Sequence, residues 1–284
     1  MLGSKRKFKM NDMYMFCMSH IYYPHMDKIN YQPVGLGSVN FPKNWMTDNT
    51  GDNISKKNNY YDMYSFHYWL WKNKLLSLDD NKWICFSNYR RFWKNIENDN
   101  PNNQLKDKIL QNIPSDWENY ETILTEPIDL RHIKISKIIK KGKVLILKKP
   151  GVLFNKNMRT IKFHFDLMHQ EGNLEKAVEL INEKDRNDFN YYLQNETSFH
   201  AWNLICCKSK YLLDRWYKTV FEWLFKCEQI FGFKELSGYE TGRIYAYLAE
   251  RYLPFWFKKY SNVRTWPIYS FDSDQLYKIR FQGL

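Results

Sequence analysis

Apolar residues in this chain fall into two patterns: short unbroken runs, and longer stripes of helical period. Asp12 to Met18 (DMYMFCM) is an unbroken run and predicts a first buried strand. From Ser19 to Asp52 the pattern lapses, interrupted by Pro24, Pro33, Gly35, Gly37, Pro42 and Gly51. Tyr31, Val34, Phe41 and Trp45 still anchor that stretch, so it reads as a long functional connection rather than a disordered one. Asn53 then offers a cap to the free amides of a first helical turn. Behind it Ile54, Tyr61, Tyr64, Tyr68, Trp71 and Leu75 recur at three, four or seven residues, the stripe of an amphipathic helix. The turn Asp79-Asp80-Asn81 closes this unit, and Trp83 to Ser87 (WICFS) predicts a second buried strand. Strand, helix, strand in that order argues for an α/β sheet.

Beyond Phe92 the chain is polar and Asn-rich, with a short helix expected at Gln104 to Gln111. Strands are expected at Glu121 to Thr125, Val144 to Leu147, Ala201 to Cys207 and Trp266 to Phe271. Helices are expected at Leu174 to Glu183, Asp188 to Gln194, Tyr211 to Phe231 and Tyr239 to Phe257, the last bent or ended by Pro254. No repeat and no linker breaks the pattern, so residues 1–284 read as one domain, its second half helical and packed on the sheet.

Composition adds limits. With 44% hydrophobic residues the chain can bury a large core. Aromatic residues make up 18%, enough to fill that core and also to line a carbohydrate or base site. The net charge of +12 favours anionic partners without choosing among nucleic acid, phosphorylated small molecules and acidic lipid. Lysines read as spread along the chain, with short clusters at Lys5-Arg6-Lys7 and at Lys140, Lys141 and Lys143. No apolar run approaches the roughly 20 residues of a membrane span. Met1 to Lys9 is basic but no signal-peptide core follows. Cys17, Cys85, Cys206, Cys207 and Cys227 form no CxxC pair or metal spacing and read as reduced, buried thiols of a cytoplasmic protein.

Candidate chemistry gathers at two places. Asn88-Tyr89-Arg90-Arg91 follows the second strand, where ligands of open α/β sheets bind. Arg presents a fork of donors that matches phosphate oxygens, so Arg90 and Arg91 suit a diphosphate; the alternative is a surface pair bridged to carboxylates. The loop Asp48 to Ser55 holds Asp48 and Asp52 around Gly51. Either carboxylate suits Mg²⁺, Mn²⁺ or a sugar hydroxyl, and the same residues suit an ordinary turn and cap. The helix start at Asn53 also offers amides to phosphate. Tyr68, Trp69 and Trp71 are candidates to stack on base or sugar, with Lys72 beside them. Histidines show no zinc spacing, and no GxSxG, Walker or GxGxxG motif is present.

These residues carry a resemblance. The chain is similar to the bacterial capsular polysaccharide synthesis family of glycosyltransferase-like proteins, a group otherwise labelled a domain of unknown function. The likeness runs through Tyr31-Gln32-Pro33 to Gly37, Asp48 to Ser55 with Lys57-Asn58, Tyr68 to Asn73, and Asn88 to Arg91. It continues at Asn203, Trp223-Leu224-Phe225 and Arg243 to Arg251. The family's usual His before Tyr-Arg-Arg is Asn88 here, its Cys-Glu-Leu is Asp62-Met63-Tyr64, its later His…Asp-Leu is His169…Asn173-Leu174, and its Gly-Phe is Ala246-Tyr247.

The resemblance implies a GT-A-like, nucleotide-sugar-binding α/β sheet with helices on both faces. It implies a hexosyltransferase moving galactose, as pyranose or furanose, from a UDP-sugar to a capsular or O-antigen-type glycan. Asp48, Asp52 and Glu250 are then the candidate catalytic carboxylates, Glu250 having an Arg-paired structural role as its alternative. Asn53, Ser55, Lys57, Tyr68, Trp71, Lys72, Asn88, Tyr89, Arg90, Arg91, Asn203 and Arg251 are the candidate donor-binding residues. No Asp-x-Asp follows a strand, so no metal ligand is assigned; Mg²⁺ or Mn²⁺ stays open, and Arg90, Arg91 and Lys72 are the alternative means of neutralising the diphosphate. A lipid-linked acceptor would bring the protein to the inner face of the membrane. Two readings compete: a degenerate sugar-nucleotide-binding scaffold, and a basic nucleic-acid-binding module, which evenly spread lysines and the lack of a nucleic-acid motif disfavour.

Overall fold

A computed structural model describes residues 12–37, 40–98, 100 and 102–271. The basic N-terminal stretch Met1 to Lys9 lies outside the described residues. In chain order the elements begin with strands β1 (Met13–Ser19), β2 (Gln32–Gly35) and β3 (Met46–Thr47). Helices α1 (Asn58–Tyr61) and α2 (Tyr64–Asn73) lead to β4 (Trp83–Asn88) and β5 (Arg91–Trp93). Next come α3 (Leu105–Lys108), β6 (Thr122–Thr125) and β7 (Ile128–Asp129). A helical stretch follows: α4 (Ile135–Lys141), α5 (Lys143–Lys148), α6 (Ile161–His169), α7 (Asn173–Val178) and α8 (Glu183–Asn195). The chain then forms β8 (Ser198–Phe199), β9 (Ile205–Cys207), α9 (Lys210–Phe231), α10 (Gly238–Thr241), α11 (Ile244–Tyr260), β10 (Val263–Trp266) and β11 (Ile268–Ser270).

The main sheet has the order β10-β6-β9-β4-β1-β2-β3, with β5 joining β4 to β11 at its side. β1 is parallel to β2 and β4, and β6 to β10, whereas β9 runs antiparallel to both β4 and β6. The carboxyl ends of β1, β2, β4 and β6 therefore share one edge, which also receives the chain entering β9. Strands buried on both faces read as unbroken apolar runs, and β1 and β4 are such strands. Their thiols, with those of β9 and α9, are buried and free, as expected.

The fold class is the expected one: a mixed, mostly parallel sheet, helices around it and a helical C-terminal half. Several elements differ. The run Val144 to Leu147 is helical: Leu145 packs with Ile138, Val152, Phe163 and Leu167, while Val144 and Leu147 stand exposed. A short aliphatic run cannot by itself tell strand from helix, and no strand lies here to pair with it. The expected strand from Ala201 shortens to Ile205–Cys207, because Trp202 and Asn203 both take positive φ. The helix expected from Asn53 starts as a 3₁₀ turn at Ser55–Lys57 and breaks at Asp62-Met63. Pro254 does not end α11; twelve of the helix's seventeen residues are buried, and that packing outweighs one missing hydrogen bond.

Candidate active site

Four connections meet at the shared edge of the sheet. β1 ends into His20, β2 into Leu36-Gly37, β4 into Tyr89-Arg90, and Trp202-Asn203 lead into β9. A cavity of about 270 Å³ opens there, lined by His20, Gly37, Ser55, Lys56 and Asn58 among others. That is close to the lower end of the range for small-molecule sites.

Its wall is a polar network centred on the break between α1 and α2. Asp62 has φ 49°, a conformation that disfavours a side chain. The break turns its carboxylate toward the sheet edge, where it lies 2.6 Å from His20 Nε2 and 3.3 Å from Arg243 Nη1. His20 Nδ1 is 3.0 Å from Asn58 Oδ1, so both ring nitrogens face oxygens. The Asn58 amide donates to the Asp62 carbonyl and to Ser65 Oγ. Burial pushes the Asp62 carboxyl up, but the His20 hydrogen bond and the charges of Arg243 and Arg90 outweigh it and hold Asp62 below the usual carboxylate range.

Asp48 stands behind this wall. It is fully buried, its Oδ1 accepting from the Gly37 amide at 2.8 Å and its Oδ2 from the Ser65 hydroxyl at 2.5 Å. Gly37 has φ 78°, so the tight turn after β2 needs a glycine to aim that amide. Burial raises the Asp48 carboxyl above its ordinary range, against the Ser65 and Gly37 hydrogen bonds. With both oxygens engaged, Asp48 ties the loop to the sheet and offers neither base nor metal ligand to the cavity. The expectation of a catalytic or metal-binding Asp48 is corrected on that ground.

Arg90 and Arg91 sit in the turn between β4 and β5, where the Asn88 side chain accepts the Arg90 amide at 3.2 Å. Tyr89 stacks on Tyr23 and beneath Arg90. The Arg91 guanidinium lies 5.3 Å over the Trp202 ring. Burial and the neighbouring Arg90 both weaken the hold of Arg91 on its proton. Among the described residues neither arginine forms an ion pair. Trp202 in turn links this turn to α11: its amide donates to Glu250 Oε1 at 2.6 Å, and Arg251 binds Glu250 Oε2. Arg251 is buried over the Phe199 ring, 4.0 Å away, and the Asn203 amide donates to the Ala246 carbonyl. Glu250 thus has the Arg-paired role that was its alternative. It fixes the unusual backbone at Trp202-Asn203.

Of the remaining expected catalytic and donor-binding residues, all but Ser55 point elsewhere. Asp52 hydrogen-bonds through its backbone to Asn73 and through its carboxylate to Tyr68 Oη, at the far end of α2. α2, ten residues and about 15 Å long, lies between that end and Asp62, and it is on Asp62 that the charge of Arg90 acts. The expected convergence of Asp52 with Arg90 is corrected accordingly. Tyr68 and Trp71 pack against Phe221 of α9, Trp71 donates to Asp214, and Lys72 lies 3.7 Å over the Trp71 ring. The helical stripe that suggested a stacking platform is the packing seam between α2 and α9. Lys57 turns away to Glu228 at 2.6 Å. Asn53 takes the Ser55 amide, and Ser55 remains on the cavity wall.

The model of a family described as a domain of unknown function (DUF4422) matches residues 14–262. The chain belongs to the DUF4422 family. A solved structure, the apo form of the bifunctional glycosyltransferase WbbM, matches with a TM-score of 0.64 at 17% identity. The match covers 93% of this chain and 46% of that one, so this DUF4422 chain spans about half of that protein's length. No curated protein matches. At such identity the likeness establishes a shared fold.

Sequence reasoning passed over His20, Asn58 and Asp62 as site residues, and took Arg243 only as the start of a motif. The carboxylate is visible in Asp62-Met63-Tyr64, but an unbroken helical period does not bring it to the sheet edge. The signal that could have found it is the interruption of helical period between Tyr61 and Tyr64.

Proposed function

We propose that this DUF4422 chain is a GT-A-like glycosyltransferase, and that Arg90, Arg91 and Arg243 receive the diphosphate of a nucleotide-sugar. The observation that carries the reading is a pair of guanidiniums that form no ion pair among the described residues, at the carboxyl edge of a largely parallel sheet, beside a cavity lined by His20 and Asn58, with Asp62 bonded to His20. Departure of a nucleoside diphosphate builds negative charge, and fixed cations at that place stabilise it. The likeness to a bifunctional glycosyltransferase supports transfer of a sugar, and the capsular-synthesis motifs favour a UDP-sugar, galactose first, and a surface glycan as acceptor. A lipid-linked acceptor would place the reaction at a membrane face. A divalent cation fits poorly as a ligand of this cavity. Asp62, the carboxylate that meets its lining residue His20, is engaged by His20 and Arg243, and no cluster of three or more metal-ligating side chains occurs among the described residues.

Titration calorimetry with UDP tests the assignment. Arg90→Ala with Arg91→Ala should weaken binding by roughly a hundredfold or more, since each charge-assisted contact is worth about 1.5–3 kcal/mol. Unchanged affinity would remove the site from this edge. A panel of UDP-, GDP- and CMP-sugars then separates transfer from binding. Donor bound but never consumed would favour the scaffold reading, for which the engaged Glu250 is the supporting observation.

A further inference from the structure

Residues 130–165 contain no Asp or Glu and eleven Lys or Arg. The whole chain carries +12, so everything outside this segment sums to +1, and the lysines are not evenly spread after all. The segment folds as α4, α5 and three 3₁₀ turns over α6. Ile138, Leu145 and Val152 face inward onto Phe163 and Leu167. The outward positions are not all polar. Phe154 is 87% exposed, Leu147 84% and Val144 61%, with Ile135 and Ile139 about half exposed beside them. Lys140, Lys143 and Lys149 are exposed among these side chains. Large aliphatic and aromatic groups amid lysines, on short helices lying flat over a small core, are the composition of a surface that enters a lipid interface.

We propose that this face docks on an anionic lipid bilayer, with Leu147 and Phe154 entering the headgroup–acyl boundary and the lysines meeting acidic headgroups. Charge complementarity selects the occupant: Arg159 is buried and Arg131, Lys141, Lys148 and Lys162 pair with acids, but Lys134, Lys137, Lys140, Lys143, Lys149 and Lys156 stand exposed with no acid in the segment. Aliphatic tips such as Leu147 and Val144 also argue against nucleic acid, which would call for stacking rings in a basic groove. The position suits the proposed activity. Lys141 reaches Glu240 of α10, and the chain leaving α10 supplies Arg243 to Asp62 at the cavity. The inference gives the lipid-linked acceptor reading a surface, but its test reads lipid binding alone. Failure of sugar transfer would leave it standing, and its failure would leave transfer standing.

The test is co-sedimentation of the full chain with phosphatidylcholine vesicles, with and without phosphatidylserine. Binding is expected to the acidic vesicles and to fall with added salt, each lysine near the surface contributing about fivefold in affinity. The double variant Leu147→Glu, Phe154→Glu should lose binding by tenfold or more while keeping its thermal midpoint, since both side chains are exposed. Lys140→Glu with Lys143→Glu should do the same. Ile230→Glu, at an exposed apolar site on α9, should bind like the parent. No binding to acidic vesicles overturns the proposal. So does equal loss in the Ile230→Glu control, or retention of the vesicles by both double variants. Displacement of vesicles by a short duplex DNA at equal charge would assign the face to nucleic acid instead.

Discussion

At the scale of single residues, the least expected one is Asp62. It takes a backbone conformation in which a Cβ is disfavoured, and it does so where its carboxylate meets His20 and Arg243. Strain of this kind persists only where the surroundings over-determine it. A pair of variants separates backbone from side chain. Asp62→Gly and Asp62→Ala both delete the carboxylate, but glycine accepts φ 49° without strain. Asp62→Gly should therefore be the more stable of the two by about 1–2 kcal/mol, read from urea midpoints, while both lose the ordered cavity wall. Equal midpoints would show that the conformation costs nothing. Of the site, Arg90 and Arg91 were legible because a charged pair just past an apolar run is a local signal. His20, Asn58 and Asp62 were not, because they meet across sequence separations of 38 and 42 residues. Asp48 and Asp52 look equivalent in sequence. One is buried at the sheet edge and the other lies by Asn73, a difference set by which way an irregular loop runs along α2.

At the scale of elements, β1, β4, β6 and α9 were readable from pattern because each buries a continuous apolar set. α5 was not, since its exposed aliphatic side chains break the rule that such residues turn inward. The two final helical layers are joined by one buried acid. Asp185 of α8 is fully buried and accepts from Tyr252 Oη at 2.8 Å, Tyr260 Oη at 2.7 Å and Lys259 Nζ at 2.8 Å, all on α11. These contacts outweigh burial and hold its carboxyl below the ordinary range. Asp185→Ala would leave two hydroxyls and an ammonium without their shared partner. It should lower the unfolding free energy by about 3 kcal/mol, seen in chemical denaturation. α11 also carries Glu250 and Arg251, so UDP affinity in this variant should fall only as far as the population of folded protein falls. A larger loss would mean that α8 positions the site.

At the scale of the whole molecule, the core holds histidines that resist protonation. Burial drives His67 and His169 down to about 3 and His200 to about 4. Unfolded, each takes a proton near pH 6.5. Between that value and the folded values the unfolded chain binds more protons, so stability falls as pH drops through the window. Each imidazole contributes about 1.4 kcal/mol per pH unit below 6.5. The urea midpoint should thus decline already between pH 7 and pH 5, before ordinary carboxylates titrate, and a flat midpoint over that interval would contradict the buried neutral state. The same core encloses all five thiols, four of them on the adjacent strands β1, β4 and β9. A reagent that alkylates sulfur must wait until these strands part. The protein therefore carries a built-in clock for the opening of its central layer, one that needs no added label and leaves the cavity rim untouched.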